Sequence, residues 1–155
     1  AKDGMDIAFC VIGQKTRKLQ YAGAYNPLFL IRDTNKPAPE LTEGIKTVSN
    51  ETHTLYEVKA DKMPIGIHIQ EKDKFTNVEL DLLENDTIYM FSDGYADQIG
   101  GPKNRKFMSK PFKNLLLELQ PETMDQQKRS LNLTIENWKG DQEQVDDIVL
   151  IGIRM

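Results

Sequence analysis

A chain of 155 residues with 39% hydrophobic content is long enough to form one domain, residues 1–155, with a core of its own. Its formal net charge of -4, with Lys and Arg scattered among Asp and Glu, offers no basic face to a nucleic acid backbone or an anionic membrane. No apolar run approaches the roughly 20 residues that span a bilayer, and AKDGMDIAFCVIG lacks the basic, apolar, small order of a signal peptide, so the chain reads as soluble and cytoplasmic.

Residues 5–13 and 17–32 carry apolar runs with Val, Ile, Phe and Tyr on either side of the polar break Gly13-Gln14-Lys15, which predicts two strands joined as a hairpin. The single cysteine, Cys10, lies inside the first run and reads as a buried, inert thiol. Residues 33–46 gather Asp, Asn, Pro and Gly and predict a surface loop. Thr52–Ala60 and Val78–Leu83 alternate weakly as strands, Lys62–Gly66 with its proline cannot be a regular element, and Asp86–Phe91 is apolar on both faces, as in a central buried strand.

Ser109 as a cap, Pro111 in the first turn and the spacing of Phe112, Leu115, Leu116 and Leu119 predict a helix over 110–119. A second helix begins at the capping box Thr123–Gln126, keeps Met124, Leu131, Ile135 and Trp138 on one face, and stops at Gly140. Ile148–Ile153 closes the chain as another strand apolar on both faces. Strands outnumber helices without alternating with them, so the fold class is α+β rather than a doubly wound parallel sheet.

With one Cys and two His, His53 and His68, a zinc site of thiolates and imidazoles is nearly excluded, and any metal should be a hard cation held by oxygen. Both histidines read as facing a neighbour or solvent rather than acting as bases. Two stretches offer oxygen ligands. In Phe91–Gln98 a buried strand runs into Ser92-Asp93-Gly94, where the strand end can hold Asp93 rigidly while Gly94 lets the backbone turn, although Asp-Gly after a strand is also an ordinary turn. In Gln144–Ile148 the adjacent Asp146 and Asp147 precede the last strand, and neighbouring strand side chains point to opposite faces, so one can serve a cation while the other faces solvent or a loop. Two carboxylates are too few for two metals about 3.5 to 4 Å apart, which need a bridging carboxylate and further oxygens.

The ordered segments DGMDIAFCVI, LQYAGAYNPLFLI, ADKMPIGIH, DTIYMFSDGYADQIGG and WKGDQEQVDDIVLIGIRM resemble the catalytic domain of SpoIIE-like serine/threonine phosphatases in the protein phosphatase 2C (PPM) superfamily, closest to bacterial proteins that carry it after sensory modules. The resemblance spans essentially the whole chain. It implies a four-layer αββα sandwich whose carboxylates bind two Mn2+ or Mg2+ ions that activate water for attack on phosphoserine or phosphothreonine. It assigns Asp93 and Asp146 as metal ligands and Asp147 as the adjacent non-ligand. It leaves the family's upstream Asp and Asp-Gly-His-Gly-like segment without counterparts here, so the N-terminal portion of the domain is expected to be missing and the metal site incomplete. Gly23, Asn26 and Pro27 match a family turn, read as packing, and Met63–Gly66 matches a segment linked to regulation.

The expected partner is a phosphorylated protein, an antagonist of an anti-sigma factor or a related domain, with sensory domains and a membrane anchor belonging to the parent protein. Apolar surface and strand edges left open predict a homodimer. A non-catalytic signalling or interaction module of the same fold is the alternative. A calcium module would need a dense ligand loop, which the sequence lacks.

Overall fold

In the computed structural model, which describes residues 3–41, 45–66 and 74–155, strand β4 (Leu28–Asp33) is the hub. Leu28 and Leu30 point to one face and Phe29 and Ile31 to the other, and none of the four is more than 1% exposed. That double burial makes β4 an interior strand, antiparallel to β6 (His53–Val58) on one side and β9 (Thr87–Phe91) on the other. β5 (Lys46–Ser49) extends the sheet beyond β6 and β12 (Leu150–Arg154) beyond β9, giving the order β12-β9-β4-β6-β5.

A second antiparallel sheet has the order β2-β3-β8, from β2 (Ile7–Ile12), β3 (Lys18–Ala24) and β8 (Val78–Asp81). Leu19, Tyr21 and Leu80 of this sheet pack on Leu28, Leu30, Val58 and Ile88 of the first, forming the core between them. On the opposite face of the five-stranded sheet, α2 (Ser109–Glu118) and α3 (Met124–Lys139) bury Phe112, Leu116, Leu131 and Ile135 against Phe29, Ile31, Leu55 and Tyr89. The chain thus forms the helix layer and both sheets of the expected αββα sandwich. The outer face of the three-stranded sheet leaves Phe9 and Val11 exposed. Among the described residues no helix is long and apolar enough to cross a membrane.

Several boundaries differ from the sequence reading. The run 17–32 is two strands in two sheets, broken where Tyr25 takes a positive φ of 58° before Asn26-Pro27, and Tyr21 Oη donates to Asn26 O at 2.7 Å across the bend. The segment 62–66 does contain a short strand: β7 (Ile65–Gly66) pairs with β1 (Gly4–Met5). β5 begins where the loop over 33–46 was expected to end. Ser109 is the first residue of α2 rather than its cap, which is Met108 at a φ of 80°. The last strand starts at Leu150, not Ile148, and lies at the sheet edge, with Ile151 and Ile153 exposed, because apolar content alone does not separate an edge strand from an interior one. The capping box at Thr123 and Gln126 forms as read. Cys10 is half-buried, and burial pushes its thiol pKa up, which keeps it unreactive.

Buried polar groups fix the layers. Arg32, 2% exposed, donates from Nη2 to Asp86 at 2.7 Å and from Nη1 to Pro37 O at 2.8 Å, tying the loop after β4 to the turn before β9. Tyr89 Oη donates to Gln127 Oε1 at 2.6 Å and accepts from Gln120 Nε2 at 2.8 Å, locking β9 under both helices. Arg154 donates to Gln120 O at 3.0 Å and Glu122 O at 2.9 Å, so β12 holds the turn between α2 and α3.

Candidate metal centre

Strand β9 ends at Phe91, and Ser92 and Asp93 lead into the single turn α1 (Gly94–Asp97). Two aromatic residues hold this corner. Phe91 packs 4.5 Å from Phe29 and 5.2 Å from Phe112, while Tyr95, 2% exposed, stacks on Phe112 and donates to Leu131 O at 2.7 Å. Asp93 occupies the cap position of α1 without making a side-chain cap bond, so its carboxylate is left to other partners.

The other half of the site comes from the segment before β12. β12 pairs antiparallel with β9 in the register Leu150↔Phe91, which carries residues 146–149 alongside Ser92–Gly94. Ser92 fastens them: its N–H donates to Val149 O at 3.0 Å, its Oγ donates to Asp147 O at 2.7 Å and accepts from Val149 N at 3.0 Å. Gly94 lets them approach, since a Cβ there would sit 2.3 Å from Asp147 O. The glycine is required by this close contact rather than by the turn conformation that the sequence suggested.

Asp93 and Asp146 are thereby brought within hydrogen-bonding reach of each other. Partial burial, then the charges of Asp146 and Asp97, then the hydrogen bond to Asp146 hold the Asp93 carboxyl above the usual aspartate range. Among the described residues neither Asp93 nor Asp146 has a Lys or Arg ion-pair partner. Two close carboxylates with no protein cation between them suit a hard divalent cation. They do not complete a site, because among the described residues no group of three or more His, Cys, Asp or Glu converges to hold a metal.

Asp146 and Asp147 make different contacts. They lie in an irregular segment, not the strand expected, and Asp147 N–H donates to Asp146 Oδ1 at 2.7 Å. Asp147 serves through its backbone carbonyl, the acceptor for Ser92 and the neighbour of Gly94. His53 pairs with Asp33 at the far end of β4, opposite the end that meets Met90, and so sits across the sheet from Asp93. His68 lies outside the described residues.

The sequence reading missed two contributors. Asp97, four residues after Asp93 in α1, adds a third negative charge beside it, and the i to i+4 spacing was the available signal. Its carboxylate accepts from Lys106 Nζ at 3.0 Å. Gln98, fully buried, donates from Nε2 to Glu143 O at 2.9 Å while its own carbonyl accepts from Trp138 Nε1 at 3.0 Å, binding the segment that leads to Asp146 to the end of α3.

Comparison with known proteins places the chain in a family and a fold. The sequence profile of the family described as Stage II sporulation protein E (SpoIIE) matches residues 3–155. The SiaA-PP2C domain of Pseudomonas aeruginosa superposes with a TM-score of 0.76 at 23% identity, covering 97% of this chain and 51% of that one. The phosphatase domain of the cell fate determinant SpoIIE from Bacillus subtilis superposes with a TM-score of 0.58 at 12% identity, covering 96% of this chain and 57% of that one. At these identities the likeness is one of fold, and the chain spans little more than half the length of either structure. No curated protein matches the sequence.

Proposed function

Because the chain belongs to the SpoIIE family and has the PP2C-type fold, we propose that it is part of a metal-dependent protein serine/threonine phosphatase, to which it contributes Asp93 and Asp146 as ligands for Mn2+ or Mg2+. The observation that carries this reading is the meeting of the two carboxylates at the joined ends of β9 and β12, with no Lys or Arg ion-pair partner for either among the described residues. A bound divalent cation supplies Lewis-acid polarisation of a phosphate ester. Asp93 is held for that task by the β9 corner, Asp146 by the Ser92 clamp, and Asp147 stands outside as a backbone support. The substrate on this reading is a phosphoserine or phosphothreonine protein, an antagonist of an anti-sigma factor, acted on in the cytoplasm under the control of sensory domains elsewhere in the parent.

Phosphate release from a phosphoserine peptide by the intact parent protein tests this. Activity should require Mn2+ or Mg2+, and Asp93→Asn or Asp146→Asn should remove most of it. Full activity in excess chelator would refute the reading. The 155-residue chain alone should bind Mn2+ only weakly, since two carboxylates leave most of a cation's six or more oxygen positions to water; a micromolar or tighter site would show that it carries more ligands than Asp93 and Asp146.

A non-catalytic interaction module is favoured by one observation, the lack of a third converging ligand among the described residues. It predicts partner binding without phosphate release from the intact protein.

A further inference from the structure

Between Asp97 and Glu118 the sequence places five cations, Lys103, Arg105, Lys106, Lys110 and Lys113, and no carboxylate, in a chain whose net charge is -4. Lys113 is explained by the core: it is buried, pairs with Glu57 and lies over the Phe29 ring. The other four are exposed. Three of them belong to a hairpin formed by β10 (Ile99–Gly100) and β11 (Arg105–Lys106), which starts one residue after α1.

This hairpin is fastened to α1 and to the end of α3. Phe107 N–H donates to Gln98 O at 2.9 Å, Met108 N–H to Ala96 O at 2.8 Å and Gly101 N–H to Trp138 O at 2.8 Å. The Phe107 ring sits edge-on to both Tyr95 and Trp138 at 5.4 Å. Backbone and aromatic groups make all these attachments. None uses Lys103 or Arg105, so folding does not call for their charge. Lys106 reaches Asp97, whose N–H donates to Asp93 O at 3.0 Å, which puts the hairpin one helical turn from the metal-ligand pair.

We propose that the β10–β11 hairpin is a docking element for the substrate protein, with Lys103 and Arg105 receiving acidic side chains that flank the phosphorylated serine or threonine. The proposal rests on the phosphatase reading. Its physical basis is charge placement. The centre itself presents Asp93, Asp97 and Asp146, which repel a phosphoprotein, and a cationic edge beside them offsets that repulsion and orients an acidic segment. The acidic segment 141–147 lies against the hairpin, with Gln142 Nε2 donating to Asn104 Oδ1 at 3.3 Å, yet among the described residues no carboxylate pairs with Lys103 or Arg105. Both are therefore available to a partner.

The test measures binding of the 155-residue chain to two fluorescent phosphothreonine peptides, one flanked by glutamates and one by lysines, at low salt with Mn2+. The acidic peptide should bind at least tenfold more tightly, and Lys103→Glu/Arg105→Glu should abolish that preference without lowering the thermal midpoint. Lys128→Glu/Arg129→Glu on α3 changes the net charge equally and should leave the preference intact. Equal binding of both peptides, no measurable binding of either, or an effect shared by the α3 variant overturns the proposal. So does binding of the hairpin to phosphatidylserine vesicles in place of the peptide. Turnover of p-nitrophenyl phosphate by the intact parent protein separates the two readings: its absence defeats the phosphatase assignment, whereas its presence with no peptide preference defeats docking alone.

Discussion

Replacing Gly94 by alanine asks whether backbone contact between α1 and the Asp146–Asp147 segment sets the geometry of the centre. The added Cβ would lie 2.3 Å from Asp147 O, 1.1 Å short of the 3.4 Å at which ordinary contact begins, so the carbonyl must retreat. Its retreat stretches the 2.7 Å bond from Ser92 Oγ. Overpacking of this kind costs about 1–3 kcal/mol, and loss of the Ser92 bond adds about 1 kcal/mol. Alanine in place of glycine in a helix returns roughly 0.5–1 kcal/mol, which leaves a net destabilisation of about 1–3 kcal/mol. For a domain of this size the thermal midpoint moves about 2–4 °C per kcal/mol, so calorimetry should show a fall of about 2–12 °C, and Mn2+ affinity should fall with it. A variant as stable as the parent, with helix propensity outweighing contact, would refute the role given to Asp147 O.

Two further perturbations probe separate features. Asp93→Asn removes a carboxyl whose pKa is raised in the folded chain; such a group stabilises the fold below the ordinary aspartate value of about 3.9 and loses that contribution as pH rises through its folded value. The metal-free variant should therefore gain stability over the parent at pH 7, with the gain vanishing near pH 3, and urea unfolding that shows no gain at pH 7 would contradict the crowding of charge at the site. Arg32→Met strands the fully buried Asp86 carboxylate and should cost about 3–5 kcal/mol, read as a lowered urea midpoint; a cost below about 1 kcal/mol would show that Asp86 is not held as an ion pair.

What could be read from the sequence was local. Asp86–Phe91 announced a buried strand because both of its faces are apolar, and Thr123 and Gln126 announced a helix start because the capping bonds close within four residues. Asp93 and Asp146 stand out in the sequence because each adjoins an apolar run, although the run after Asp146 proves to be an edge strand. The run 17–32 hid its break because both halves are apolar, and only the fold reveals that they belong to different sheets. The β10–β11 hairpin escaped notice because two-residue strands carry no periodicity, and its hold on the protein comes from Trp138, more than thirty residues away. Asp97 was passed over because its importance depends on α1 being helical. Gly94 was noticed for the wrong reason, since the contact that requires it is with a residue more than fifty positions later.

The clamp made by Arg154 gives β12 mechanical consequences. One end of the strand is pinned to the turn between α2 and α3 through Gln120 O and Glu122 O, and the other runs through Val149 and Asp147 into Ser92. A strand resists stretching because each residue already extends it by about 3.4 Å, so β12 behaves as a tie rod between the helix layer and the carboxylate pair. A pull on the α2–α3 turn would therefore be carried to Ser92 and the segment that holds Asp146.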